Sequence, residues 1–242
     1  MTVHLAQAWT GLVHSPLLGI TVTVGAYQAA RWLWRRTRGH SLANPVLVSV
    51  VLVAGFLLLT RVDYADYLRG GQYIAFLLGP ATVALALPLY LQADRIRRSA
   101  PMVLLSVVAG SLTAILVGVL VTRWAGGDAA LALSMAPKSA TTPVSLAVSA
   151  TIGGIGPLTA VFTILTGVLG AVAAPRVLTL ARVRDERVRG LAVGVVSHGI
   201  GTARLLADEP AAGAFSALAM AINALVTAIA VPVLLQLIPG RS

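Results

Sequence analysis

The sequence predicts an all-α fold, a polytopic transmembrane helical bundle of about seven to eight membrane segments with broken or re-entrant helices and an inverted repeat. Three observations predict it. First, 57% of the 242 residues are hydrophobic and 11% are charged, with a mean hydropathy of +0.88. Water-soluble domains carry about 25% charged residues, and one core of this size cannot enclose so much apolar surface. Second, the apolar residues fall in continuous runs close to the roughly 20 residues that span hydrocarbon, not in the short alternating segments of a barrel. Third, the arginines concentrate in a subset of the intervening loops, as they do in cytoplasmic loops.

The runs lie near 12–30, 45–60, 72–91, 101–122, 128–149, 155–175, 188–206 and 211–238. Arg31, Arg35, Arg36 and Arg38 follow the first. Arg95, Arg97 and Arg98 follow the third. Arg176, Arg182, Arg184, Arg187 and Arg189 follow the sixth. The positive-inside rule assigns all three loops to the cytoplasm. The loops 61–71 and 207–210, with their acids, are expected outside. Two inside loops must be separated by an even number of crossings, yet three runs lie between 92–100 and 176–190. The run 128–149 is the one expected to turn back. Its Pro137-Lys138-Ser139-Ala140-Thr141-Thr142-Pro143 breaks a helix and frees backbone groups, which lipid does not tolerate outside a protein-lined cavity. Seven full crossings follow, with the chain starting outside and ending inside.

The chain reads as a single membrane domain, 1–242, built from halves at 12–124 and 128–238. Gly79-Pro80-Ala81-Thr82 is matched by Gly199-Ile200-Gly201-Thr202, and Asn44-Pro45 by Gly156-Pro157. The topology sets the halves in opposite directions, the build of many secondary transporters.

Composition also excludes functions. There is no Cys, so thiolate chemistry and disulfides are absent. The histidines, His4, His14, His40 and His198, have no zinc-ligand spacing, and no metal or cofactor is expected. No oriented nucleophile and base suggest an enzyme. The net charge of +10 is read as loop charge facing a lipid bilayer, not as a nucleic-acid surface.

Candidate site residues sit where helices break, because half-helix N-termini offer free N–H groups and a positive dipole end to an anion. At the first break Lys138 is a counter-charge for an anionic substrate, with Ser139, Thr141 and Thr142 as donors; the alternative is a lysine that snorkels to an interface. At the second break, His198, Gly199, Gly201, Thr202 and Arg204 combine close backbone approach, a titratable ring and a carboxylate fork. Arg204 could equally pair with Asp208 and Glu209. Thr82 marks a third, uncharged interruption. Asn223 is a polar residue within an apolar run, expected to bond another helix or to touch substrate. Cations without buried acids suit a small organic anion.

At these residues the sequence resembles the LrgB/CidB family. Pro137 to Pro143, Ile152-Gly153-Gly154-Ile155, Thr166-Gly167-Val168-Leu169-Gly170-Ala171, Ser197 to Arg204 and Gly213-Ala214-Phe215-Ser216 carry the likeness, which extends over nearly the whole chain. Where some members place an acid after Thr142-Pro143, this chain has Ala147. The resemblance implies a multi-pass protein of a prokaryotic plasma membrane, with two bodies of function. Some members look like carriers of small monocarboxylates (pyruvate, glycolate, glycerate). Others are named holin- or antiholin-like and act with a small LrgA/CidA-type membrane partner on murein hydrolase activity and lysis. The leading expectation is alternating-access monocarboxylate transport; the alternative is the antiholin-like role. A homodimer is the default assembly.

Overall fold

A computed structural model describes residues 11–37 and 43–236. His4, Arg38, His40 and residues 237–238 lie outside the described residues. Among the described residues there are helices and turns and no strand. By length and apolarity, five described segments could cross a membrane: Tyr64–Leu91, Ala93–Trp124, Gly156–Leu180, Glu186–Asp208 and Pro210–Leu234. The chain divides into two compact units, Met1–Ala84 and Leu85–Ser242. This boundary does not coincide with the one between the sequence halves.

In the first unit, helices α1 (Pro16–Arg36), α2 (Pro45–Thr60), α3 (Tyr64–Phe76) and α4 (Leu78–Ala84) follow one another. Ser15 and Asn44 cap α1 and α2, each followed by a proline at the first turn, where proline lacks only an N–H that has no helical partner. Where α1 crosses α3, a Cβ on Gly19 would stand 2.2 Å from the Tyr67 carbonyl oxygen, and one on Gly70 would stand 2.1 Å from that of Pro16. Only glycine allows that backbone contact. Helix α2 has no buried residue; Val50, Val51, Leu58 and Leu59 are exposed, as befits a lipid-facing surface.

The second unit contains α5 (Ala86–Leu91), α6 (Ala93–Trp124), α7 (Ala129–Met135), α8 (Thr142–Ile152), α9 (Gly156–Leu180), α10 (Glu186–Asp208) and α11 (Pro210–Gln236). Helix α6, 32 residues long, extends about 48 Å and is the reference axis. Its buried face runs Val103, Val107, Ser111, Ile115, one residue every turn. Helix α11 answers with Phe215, Ala219, Asn223, Thr227 and Val231, all buried at the same spacing. Toward the α6 N-terminus, Val103 and Val107 pack with Phe215, Ala219, Leu191 and Val195. Toward its C-terminus, Ile115 packs with Val231, Ala136, Val148 and Ile152. The matching order shows α6 and α11 running the same way, with Ser111 and Asn223 as a polar layer between two apolar ones.

Helices α7 and α8 form a hairpin. Asp128 caps α7 through the Leu131 N–H at 2.7 Å, α7 descends beside α6, and the chain turns at residues 136–141. Helix α8 then climbs back, so that the Ile155 N–H donates to Ser134 Oγ at 2.7 Å. Ser149 and Thr159 hydroxyls, 2.7 Å apart, tie α8 to α9, which crosses to the other end.

The structure departs from the sequence reading at 188–206, expected there to cross fully. Helix α10 doubles back at His198, whose φ of 39° and ψ of −131° are not helical. In a straight helix Arg189 and Glu209 would stand roughly 30 Å apart; here Arg189 Nε is 3.9 Å from Glu209 Oε2. A Cβ on Gly201 would meet Val193 Cγ1 at 2.6 Å, across the reversal. Residues 207–210 therefore share a face with the arginine-rich 176–190 loop, where Glu209 and Asp208 neutralise Arg189 and Arg204 instead of marking the opposite side. Helix α11 starts on that face and ends on the other, so the expected inside C-terminus is also revised relative to the arginine loops. Small residues permit the fold-back: Cβ atoms on Gly190 and Gly194 would each lie 2.2 Å from a carbonyl oxygen of α11, those of Ala212 and Ser216.

Candidate functional site

Two hairpins enter the second unit from opposite ends, and their tips meet in its middle. The meeting point is Asn223, the central residue of α11 and fully buried. Its Nδ2 donates to the Ser139 carbonyl at 2.7 Å, on the first tip, and to the Val195 carbonyl at 3.4 Å, one turn before His198 on the second. Its Oδ1 accepts from Ser111 Oγ on α6. An amide side chain offers two donor hydrogens and one acceptor oxygen. All three are engaged, so in this conformation Asn223 is a latch between the hairpins and has no donor left for a substrate.

The first tip is a wide break. Pro137, Ser139 and Ala140 are buried, and their freed carbonyls find partners. Ser145 Oγ donates to Pro137 O at 2.7 Å, and Asn223 takes Ser139 O. Lys138 is half-buried. Its stem lies against Gly118, where a Cβ would be 3.1 Å from Cε. Its Nζ donates to the Ala114 carbonyl at 3.1 Å and to Ser139 Oγ at 3.4 Å. Ala114 lies near the centre of α6. Among the described residues the ammonium has no carboxylate within ion-pair distance. It is a cation held by neutral dipoles deep in the bundle. Thr141 is the N-cap residue of α8 and Thr142 its first residue. Both are half-buried, and the N–H groups of that first turn have no helical acceptor.

The second tip is narrow. His198 is 4% exposed and its Nε2 faces the Thr163 carbonyl at 3.0 Å. A carbonyl only accepts, so Nε2 carries the hydrogen. The ring lies against Gly167, where a Cβ would stand 2.5 Å from Nε2. Thr202 Oγ1 donates to the His198 carbonyl at 2.6 Å and shares a hydrogen bond of 2.8 Å with Ser216 Oγ. Gly201 is buried and Gly199 is exposed. Ser197 Oγ, Thr163 Oγ1 and Thr227 Oγ1 are buried without a hydrogen-bond partner among the described residues.

The structure thus brings Lys138, Ser139 and Asn223 together, and places His198, Gly201 and Thr202 on the adjoining tip. Arg204 stands apart from both tips. Its Nε is 3.6 Å from Asp208 Oδ2, and with Arg189 and Glu209 it lines a small cavity of about 80 Å³ beneath the hairpin. Thr82 belongs to the other unit and its side chain is outside the described residues. Sequence reasoning missed Ser111, Thr163 and Ser216. Their signal was available: Ser111 is the one polar position in the Val103, Val107, Ile115 stripe, and Ser216 repeats with Ala212 at the spacing that faces Gly190 and Gly194.

The LrgB-like family model matches residues 23–237. The chain is 34% identical over 226 residues to the antiholin-like protein LrgB of Bacillus subtilis (strain 168), covering 93% of this chain and 98% of that one. It is 36% identical to the uncharacterized protein YwbG of the same organism, over 91% and 97% of the two chains. It is 32% identical to the antiholin-like protein LrgB of Bacillus cereus (strain B4264), over 93% and 97%. No solved structure matches. Apolar helices of spanning length and these full-length likenesses lead to one statement: the chain belongs to the LrgB-like family of membrane proteins.

Proposed function

We propose that the chain is an antiholin-like protein of a prokaryotic plasma membrane, restraining murein hydrolase activity and lysis together with a small LrgA/CidA-type membrane protein. The observation that carries this reading is the name shared by relatives matched over nearly their full lengths. It is tested by expressing the chain, with and without such a partner, in a host lacking its own copy. Zymograms and turbidity would then report hydrolase activity and lysis. Slower lysis supports the reading, and lysis unchanged by the chain in either setting contradicts it.

A second reading is favoured by one structural observation, the unpaired Lys138 ammonium at the junction of two opposed hairpins. Discontinuous helices meeting at mid-depth are where secondary transporters bind substrate, and a lone buried cation selects an anion. In this reading the protein carries small monocarboxylates of the pyruvate, glycolate and glycerate class. Lys138, Ser139 and the α8 N-terminus would hold the carboxylate, and the apolar layers on either side of Asn223 would open alternately. A homodimer belongs to the same proposal. Proteoliposomes separate the readings. Accumulation of labelled pyruvate with retention of a trapped dye supports a carrier, and absence of uptake with the folded protein removes it.

A further inference from the structure

A second cationic feature lies away from the hairpin tips, at the arginine-rich end of the same unit. A cleft of about 430 Å³ is lined by Arg95, Arg98 and Ser99 from the start of α6 and by Asp185, Glu186 and Arg187 from the start of α10. Arg187 spends most of its guanidinium on Asp185, through Nε at 3.1 Å and Nη2 at 2.6 Å, and its Nη1 donates to Ser99 Oγ at 3.3 Å. Ser99 is a buried acceptor in that bond, so its own hydroxyl hydrogen is available. Arg95 and Arg98 are exposed, and among the described residues neither has an ion-pair partner. Arg187 takes up Asp185 and Glu186 is the remaining carboxylate of the lining, so the two free forks of Arg95 and Arg98 leave the cleft net positive and, with the Ser99 hydroxyl beside them, form a phosphate-binding set.

The surface just below says what carries the phosphate. Arg95, Arg98, Met102 and Leu105 follow at steps of three, four and three residues, which places them on one face of α6. Met102 and Leu105 are exposed by 43% and 73%, and the apolar run begins at this point. A headgroup at the arginines would lay its acyl chains along Met102 and Leu105. Basic pockets between membrane helices on the cytoplasmic side suit anionic headgroups. We infer that this cleft is a binding site for an anionic phospholipid, whose phosphodiester is held by Arg95, Arg98 and Ser99.

Native mass spectrometry of the full chain in detergent, titrated with dioleoyl phosphatidylglycerol or dioleoyl phosphatidylcholine, tests it. The expected result is retention of phosphatidylglycerol in preference to phosphatidylcholine, weakened roughly 25-fold in Arg95→Gln/Arg98→Gln at about five-fold per arginine. Arg95→Lys/Arg98→Lys should keep part of the preference, and Arg123→Gln, on the far end of α6, should keep all of it. Equal retention of the two lipids overturns the site, as does an unchanged preference in the double glutamine variant. Displacement of the lipid by millimolar inorganic phosphate, which then binds to the same extent, assigns the cleft to the free ion and overturns the lipid proposal.

Discussion

The two hairpins solve one problem in different ways. Each must reverse the chain inside an apolar medium, where freed backbone groups have no water. The first opens a six-residue gap, 136–141, with Pro137 inside it and Pro143 in the first turn of α8, and fills the orphaned carbonyls with Ser145 and Asn223. The second makes its turn at one residue, His198, at positive φ, and satisfies that residue's carbonyl with Thr202. The wide tip has room for a charge and holds Lys138. The narrow tip is packed against Gly167 and Gly170, where Cβ atoms would collide with His198 and Ser197. The first tip is therefore built to present groups, and the second to sit firmly on α9 and α11.

The sharpest way to break this contrast is at the packing of the second hairpin. Gly194→Leu would drive a side chain into the Ser216 carbonyl, 2.2 Å from the Cβ position. Overpacking of this kind costs about 3 kcal/mol. It should abolish monodisperse protein in size-exclusion chromatography, whereas Gly55→Leu, with open space around its Cβ, should behave as wild type.

Next in size is the latch. Asn223→Leu removes the partner of the Ser139 and Val195 carbonyls and leaves Ser111 Oγ with only the Val107 carbonyl, and should lower stability by about 1–3 kcal/mol, read as a fall in the thermal midpoint. A double-mutant cycle with Ser111→Ala should return a coupling energy of about 1 kcal/mol. Additivity of the two changes would mean that Asn223 does not join the hairpins to α6.

The first tip makes the opposite prediction. Lys138→Met keeps the stem and removes a charge that has no carboxylate partner. Replacing an unfavourably placed charge by an apolar residue is often neutral or stabilising, so the thermal midpoint should hold or rise. Any carboxylate uptake should vanish. Loss of stability on this change would show Lys138 to be a structural group.

The smallest effect lies at the α10 cap. Hydrogen bonds from the Arg187 side chain, and then from its N–H, hold the Asp185 carboxyl down at about 2, from an ordinary 3.8. A depressed carboxyl stabilises the fold fully above its unfolded value and loses that contribution as pH falls through the folded one. The gap in thermal midpoint between wild type and Asp185→Asn should thus close between pH 4 and pH 2. The group is exposed, so the gap should be small.

Which parts were legible in the sequence follows from the same contrast. Pro137 and Pro143 announce the first break, because two prolines six residues apart, with a charge and three hydroxyls between them, disfavour an unbroken helix, although single prolines such as Pro101, Pro175 and Pro232 lie inside helices. The runs that became α6, α9 and α11 are apolar over their full length and could be read directly. The reversal at His198 could not. A positive φ at one non-glycine residue is imposed by what packs around it, here Thr163, Gly167 and Thr202, which arrive from elsewhere in the chain. Lys138 was legible as an isolated charge, but the engagement of every donor of Asn223 depended on three helices meeting. Arg204 was misplaced relative to the tips for the same reason: six residues beyond His198 leads back toward the surface once the helix has turned, and onward through the bundle if it has not.

Opposed hairpins are tested most directly by sidedness. The chain has no native cysteine, so single cysteines at Arg184, Ala207, Ala125 and Thr151, all exposed, can be labelled with a membrane-impermeant maleimide in oriented vesicles. Two re-entrant hairpins predict that Arg184→Cys and Ala207→Cys react from one side and Ala125→Cys and Thr151→Cys from the other. Labelling of Ala207→Cys from the side opposite to Arg184→Cys would make α10 a crossing helix and contradict the meeting of the two tips.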